Sequence, residues 1–165
     1  MHEASPGSHG AVDPLELDRQ VCFALAVASR SVINFYRPIL EPLGLTHPQY
    51  LVMLALWQRS PVRFSELAGL LSLDLATLSP LVRRLETMGL VRRRQGEEDA
   101  RVVELEPTPR GRELRERALR VPTEVVARLG MPIARLEALR DELTELIGAV
   151  RSAEAGVAVG STPAE

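Results

Sequence analysis

Residues 64–107, FSELAGLLSLDLATLSPLVRRLETMGLVRRRQGEEDARVVELEP, decide how this chain folds. FSELAGLLSL is a short helix signal with Ser65 as its candidate N-cap. Asp74 or Thr77 can cap a second helix that ends near Gly89. In that second helix Leu75, Leu78, Leu81, Val82, Leu85 and Met88 recur at the 3.6-residue period and predict a buried side. Ala76, Ser79, Pro80, Arg83 and Thr87 fall opposite, with Thr77 and Arg84 on the flank. LVRRRQ and RVVELEP then alternate as two strands around the turn-like GEEDA. A lone hairpin is marginal in water, so this one must lean on the helices. Helix, helix and arginine-rich hairpin, in that order, predict a winged helix-turn-helix in a mainly α chain.

The chemistry of the outward faces fits DNA. The second helix is small and polar near its start and cationic further on, which suits an N-terminal part entering a major groove while arginines hold phosphates. Expected contacts are Ala76, Thr77, Ser79, Pro80, Arg83 and Arg84, with Arg93 and Arg94 on the hairpin. Asp99 and Arg101 lie near the hairpin tip, where an arginine can enter a minor groove and read its width. Taken singly, the helix and the hairpin read equally well as ordinary solvated elements; their order favours DNA.

Composition bounds the alternatives. The chain has 165 residues with 45% hydrophobic content, enough for one globular domain with extensions. All 20 cations are arginine, and the formal net charge of −2 argues against a polybasic, sequence-blind binder. The contact region is nevertheless locally basic, with six arginines from Arg83 to Arg101 against Glu86, Glu97, Glu98 and Asp99. No apolar run approaches the roughly 20 residues that span a bilayer. MHEASPGSHGAVDP lacks a signal-peptide pattern. A single cysteine excludes an internal disulfide and fits a cytoplasmic protein. His2 and His9 lie in the N-terminal arm and His47 has no nearby ligand set, so neither a metal nor a cofactor is expected.

Around the module, residues 1–13 read as a disordered arm and Leu15 to about Leu40 as one long helix closed by Pro42 and Gly44. Thr46 to Gln49 has capping-box spacing for a helix through Gln58. After the hairpin Thr108 caps a helix with Pro109 in its first turn, and Pro122 should kink or end it. Gly130 and Pro132 precede a last helix striped with Leu136, Leu139, Leu143, Leu146, Ile147 and Val150. The expected division is therefore dimerisation helices at 14–45 and 108–152, a winged DNA-binding domain at 46–107, and a flexible tail at 153–165. The end helices either pack within one chain or form a homodimer. The dimer is favoured, because large apolar patches are rarely left uncovered and a two-fold pair matches a pseudo-palindromic operator in double-stranded DNA.

From Leu15 to Val150 this order of elements resembles the MarR family of dimeric winged-helix regulators. Asp99-Ala100-Arg101 resembles the family's aspartate-x-arginine wing tip, which implies a minor-groove role for Arg101. LDRQVCFALAVASR, YRPILEPLGLTHPQYLVMLALW and LDLATLSPLVRRLETMGLV resemble the organic-hydroperoxide regulator branch (OhrR), whose members sense peroxide through a cysteine in the first helix. That resemblance implies Cys22 as the sensor and a repressor that releases its operator once the sulfur is oxidised. It also implies Tyr36 as a hydrogen-bond partner of the sulfur. Tyr36 lies 14 residues after Cys22, on nearly the same face but about 21 Å along the axis, so the bond must join two subunits.

The chain departs from the branch in two places. His47 stands where a second tyrosine is common, and it either donates a hydrogen bond toward Cys22 in place of a phenol or simply faces solvent near the helix start; no resolving cysteine follows. The single-cysteine type results, in which the sulfenic acid reacts with a small external thiol, cyclises or over-oxidises. By itself a lone cysteine in an apolar helix is usually a small buried hydrophobe, and Tyr36 is as readily an ordinary core residue. Two further readings compete: a repressor released by a small aromatic or acidic ligand with Cys22 incidental, and a thiol peroxidase. The second is weak, since a non-enzyme explains the winged module and no second cysteine completes a turnover.

Overall fold

The computed structural model describes residues 13, 15–96 and 101–159, with side chains as far as 156. The expected disordered arm lies outside these residues apart from Asp13. Two compact units divide the chain, Met1–Arg112 and Glu113–Glu165. By packing within the chain, the first helix groups with the winged module.

Helix α1 spans Val21–Leu40, and a 3-10 turn at Leu17–Arg19 precedes it. The expectation of one helix from Leu15 is corrected here: Gln20 is extended (φ −83°, ψ 120°) and breaks the path. Ile39 and Leu40 at the far end of α1 are fully buried, whereas Val21, Leu25, Val27, Val32 and Ile33 stay exposed. A second 3-10 turn, Glu41–Leu43, ends at Gly44, whose φ of +69° suits a residue without Cβ.

Helix α2, His47–Gln58, starts as the capping box requires, with the Thr46 N–H donating to Gln49 Oε1 at 2.9 Å. Strand β1 (Val62–Arg63) and helix α3 (Phe64–Leu71) follow. Arg63 is the N-cap of α3, so Ser65 lies inside the helix and its expected capping role is corrected. Helix α4 covers Leu75–Thr87, with the Asp74 carboxylate accepting from the Thr77 N–H at 2.6 Å. Leu78, Val82 and Leu85 have no exposure, and Leu81 and Met88 are half-buried. Leu75, expected inside, is 54% exposed because it occupies the first turn, ahead of the buried part of the stripe.

Strands β2 (Val91–Gln95) and β3 (Val103–Pro107) form the expected hairpin, antiparallel from Val91↔Pro107 to Gln95↔Val103. The two-residue β1 also pairs with β3, Val62 opposite Leu105, giving the order β1-β3-β2. A sequence run of two residues is too short for a strand signal, but this pairing is what ties the hairpin back to the helices. Leu105 at the centre is fully buried, beneath the same core as Met53, Leu56 and Leu67.

Helix α5 (Pro109–Ala118) begins with Thr108 Oγ1 accepting from the Gly111 N–H at 3.0 Å. Helix α6 (Arg120–Leu129) follows after a break at Leu119. Pro122 accounts for that break, since its ring opposes the carbonyl four residues earlier, that of Ala118. Gly130, at φ +62°, leads to α7, Ile133–Val159. This helix runs past residue 152, where a loose tail is expected.

Candidate nucleic-acid interface and thiol site

Helix α4 carries the face expected to read DNA. Asp74 anchors its first turn, and the bond to the Thr77 amide holds the Asp74 carboxyl below the usual carboxylate range. Ala76, Thr77, Ser79, Pro80, Arg83 and Arg84 are all exposed on the sides away from Leu78, Val82 and Leu85. The small residues come first and the guanidinium groups one to two turns later, the order that the sequence predicts. Pro80 causes no break, and α4 is continuous through it.

The hairpin arginines are committed differently. Arg92 and Arg94 stand directly across from Glu106 and Glu104 and pair with them, at 2.5 Å and 3.0 Å. Arg93 points to the other face, where it meets Glu86 of α4 at 3.1 Å and lies 5.4 Å from the centre of the Phe64 ring. Arg93 thereby braces the wing against α3 and α4. Arg93 and Arg94, both expected to contact DNA, are thus engaged with carboxylates. No carboxylate lies within ion-pair range of Arg83 or Arg84 among the described residues. Arg101 is exposed at the start of the return strand's approach; Asp99 lies outside the described residues.

The two main residues of the candidate thiol site lie at opposite ends of α1. Cys22 is exposed and is the second residue of α1, in the first turn of the helix. The break at Gln20 creates this setting, and periodicity alone did not reveal it. Tyr36 lies near the other end, half-buried, about 21 Å away by helical rise. No contact joins Cys22 and Tyr36 within the protomer.

Tyr36 is the hub of a ring cluster. Its ring is 5.0 Å from His47, edge-on at 67°, and 6.3 Å from Tyr50. Phe35 flanks it at 6.0 Å, and Tyr50 continues to Trp57 at 6.5 Å. Burial pushes the His47 imidazole below its usual value and the phenols of Tyr36 and Tyr50 above theirs, Tyr50 also through repulsion by Tyr36. A hollow of about 540 Å³ opens beside His47, lined by Ile33, Arg37, Glu41, Leu45 and Pro48 among others. The Trp57 indole N–H donates to the Gly111 carbonyl at 2.9 Å, which ties α2 to the first turn of α5. Sequence reasoning passed over Tyr50 and Trp57, although His47, Tyr50 and Trp57 recur at intervals of 3 and 7 on one helical face.

Among the described residues no group of three or more His, Cys, Asp or Glu could hold a metal ion. No single helix among them is long and apolar enough to cross a membrane.

The sequence model of the MarR family matches residues 45–103. The chain is 37% identical over 114 residues to the organic hydroperoxide resistance transcriptional regulator of Bacillus subtilis, covering 69% of this chain and 78% of that protein. It is 39% identical over 137 residues to the HTH-type transcriptional regulator TtmR of Methylorubrum extorquens, covering 83% and 70%. Among solved structures, reduced AbfR bound to DNA superposes with a TM-score of 0.67 at 28% identity, over 81% of this chain and 94% of AbfR, a Staphylococcus epidermidis protein. CouR from Rhodococcus jostii bound to p-coumaroyl-CoA superposes with a TM-score of 0.69 at 27% identity, over 80% and 94%.

Proposed function

This chain belongs to the MarR family of DNA-binding transcriptional regulators, and from that premise we propose a dimeric repressor that organic hydroperoxides release from its operator by oxidising Cys22. Family members regulate transcription and are not enzymes, so the peroxidase reading falls away. The observation that carries the redox reading is the placement of Cys22: exposed in the first turn of α1, within reach of an oxidant, and not a small hydrophobe inside the core. The similarity to the Bacillus subtilis hydroperoxide regulator supports the choice of oxidant.

The dimer rests on the apolar face that α1 leaves open, Val21, Leu25, Val27, Val32 and Ile33, and on the exposed stripe of α7. Antiparallel crossing of two α1 helices brings Cys22 of one protomer near Tyr36 of its partner. The thiolate attacks the distal peroxide oxygen; the S–O bond forms, the O–O bond breaks, and sulfur loses two electrons that the peroxide gains. The alkoxide takes a proton from water and leaves as the alcohol, and Cys22 becomes a sulfenic acid. The new oxygen displaces the phenol of Tyr36, which shifts α1 and the spacing of the two α4 helices. A small thiol is the expected next reactant, because the chain has no second cysteine. On the DNA, Ala76, Thr77, Ser79, Pro80, Arg83 and Arg84 serve the major groove and its phosphates, and Arg101 the minor groove.

An operator-binding assay with an organic hydroperoxide, wild type beside Cys22→Ser, tests this. Wild type should dissociate with stoichiometric oxidant, and Cys22→Ser should bind and stay bound. Release of Cys22→Ser by the oxidant would sink the mechanism. The hollow beside His47, with the ligand-bound CouR as a structural neighbour, favours a second reading in which a small aromatic or acidic molecule releases the DNA. An inducer that acts equally on Cys22→Ser would establish it.

A further inference from the structure

Resting on the redox reading, we propose that His47 positions Tyr36 from within the same protomer, so that the imidazole acts on the sensor sulfur through the phenol and not by bonding to it. The two rings meet edge-on at 5.0 Å, a favoured geometry for an aromatic pair. The capping box at Thr46 and Gln49 fixes the first turn of α2 and with it the place of His47. Tyr50, buried on the same helix one turn on, closes a second side of Tyr36. Tyr36 is therefore held by two rings of α2.

The sequence reading assigns His47 a direct bond to sulfur in place of the tyrosine common in the branch. The ring contact gives it a different task, one that any aromatic residue can share and that a proton modulates. The hollow of about 540 Å³ beside His47 gives protons access to the imidazole. The charged and titratable groups around it are Tyr36 and Arg37 from α1, Glu41 from the turn that follows, and Tyr50 from α2. Protonation turns a neutral ring contact into that of an imidazolium beside a phenol, and Tyr36 must register the change.

The chain has two tyrosines, so NMR of protein with ring-¹³C tyrosine yields two signals, assigned with Tyr36→Phe. Between pH 8 and 5 the Tyr36 signal should move with a midpoint below the usual histidine value. In His47→Phe that movement should vanish while the signal stays near its wild-type position; in His47→Ala it should shift toward that of free tyrosine. His47→Phe separates the titration of His47 from those of Glu41 and Tyr50. A Tyr36 signal that ignores pH, or that titrates equally in His47→Phe, overturns the proposal. Hydroperoxide-driven release from DNA should slow roughly two- to tenfold in His47→Ala and recover in His47→Phe, as loss of one ring pair predicts. Equal rates in all three proteins, with the response still dependent on Cys22, also overturn it. Release of Cys22→Ser by peroxide instead defeats the redox reading, and the NMR titration still decides the role of His47.

Discussion

Helices α4 and α7 carry equally regular leucine stripes in sequence, yet α4 buries Leu78, Val82 and Leu85 completely while no described side chain of α7 is buried. The stripe of α4 meets α2, α3 and the hairpin inside its own chain; Leu139, Leu146, Ile147 and Val150 of α7 remain open. A stripe thus reports that a face wants cover, and says nothing of what supplies it. On α4 the cover is the winged core. For α7 we take it to be a second copy of the chain, in line with the open face of α1.

The largest effect that can break this contrast is in the core. Leu85→Ala should cost about 2–5 kcal/mol of stability in a denaturant titration, because the packed surroundings cannot close the cavity. A loss under 1 kcal/mol would mean that α4 is no better packed than α7. Next comes the open stripe. Ile147→Asp should raise the dimer dissociation constant at least about a hundredfold, roughly 2.7 kcal/mol, by placing a charge in an apolar interface. Sedimentation should then show monomers at concentrations where wild type is dimeric; an unchanged profile would rule α7 out as a dimer contact.

A smaller effect separates the arginines. Arg83→Ala and Arg101→Ala should each weaken operator binding and lower the salt slope by about one unit, as expected for one lost phosphate or groove contact. Arg92→Ala should change the slope less, since its guanidinium is already paired with Glu106 and exposed pairs of this kind are worth little. Equal slopes for Arg83→Ala and wild type would remove Arg83 from the interface. The smallest effect is at the α4 cap. Asp74 is held below the usual carboxylate range in the fold, so its contribution is present above the unfolded value and is lost as pH falls through the folded one. Asp74→Ala should lower the melting temperature slightly at neutral pH, and the difference from wild type should fade in acid. A difference that grows in acid would contradict the cap.

Much of this was legible in the residues. Periodicity located α4 and the hairpin; Thr46, Asp74 and Thr108 marked helix starts, because a cap is a local bond between side chain and nearby amide. The outward face of α4 followed from the same arithmetic. The resemblance of the segments around Cys22 and Tyr36 pointed to a thiol sensor.

Other features depend on groups far apart in the chain, and no local pattern encodes them. Strand β1 exists only because Val62 finds Leu105, and Arg93 is occupied only because folding places Glu86 and Phe64 beside it. The pairing of His47 with Tyr36 joins residues from two helices across a turn. At Gly111 an added Cβ would collide with the Leu90 carbonyl oxygen, a close approach that sequence showed only as a glycine inside a helix. Sequence by itself determined which faces of this protein are apolar, cationic or capped, since those are properties of neighbours within a turn or two. Which hairpin arginines are engaged with carboxylates, and which rings surround Tyr36, was decided only when the chain closed on itself, because ion pairs and ring contacts form between groups that folding alone brings within a few ångströms.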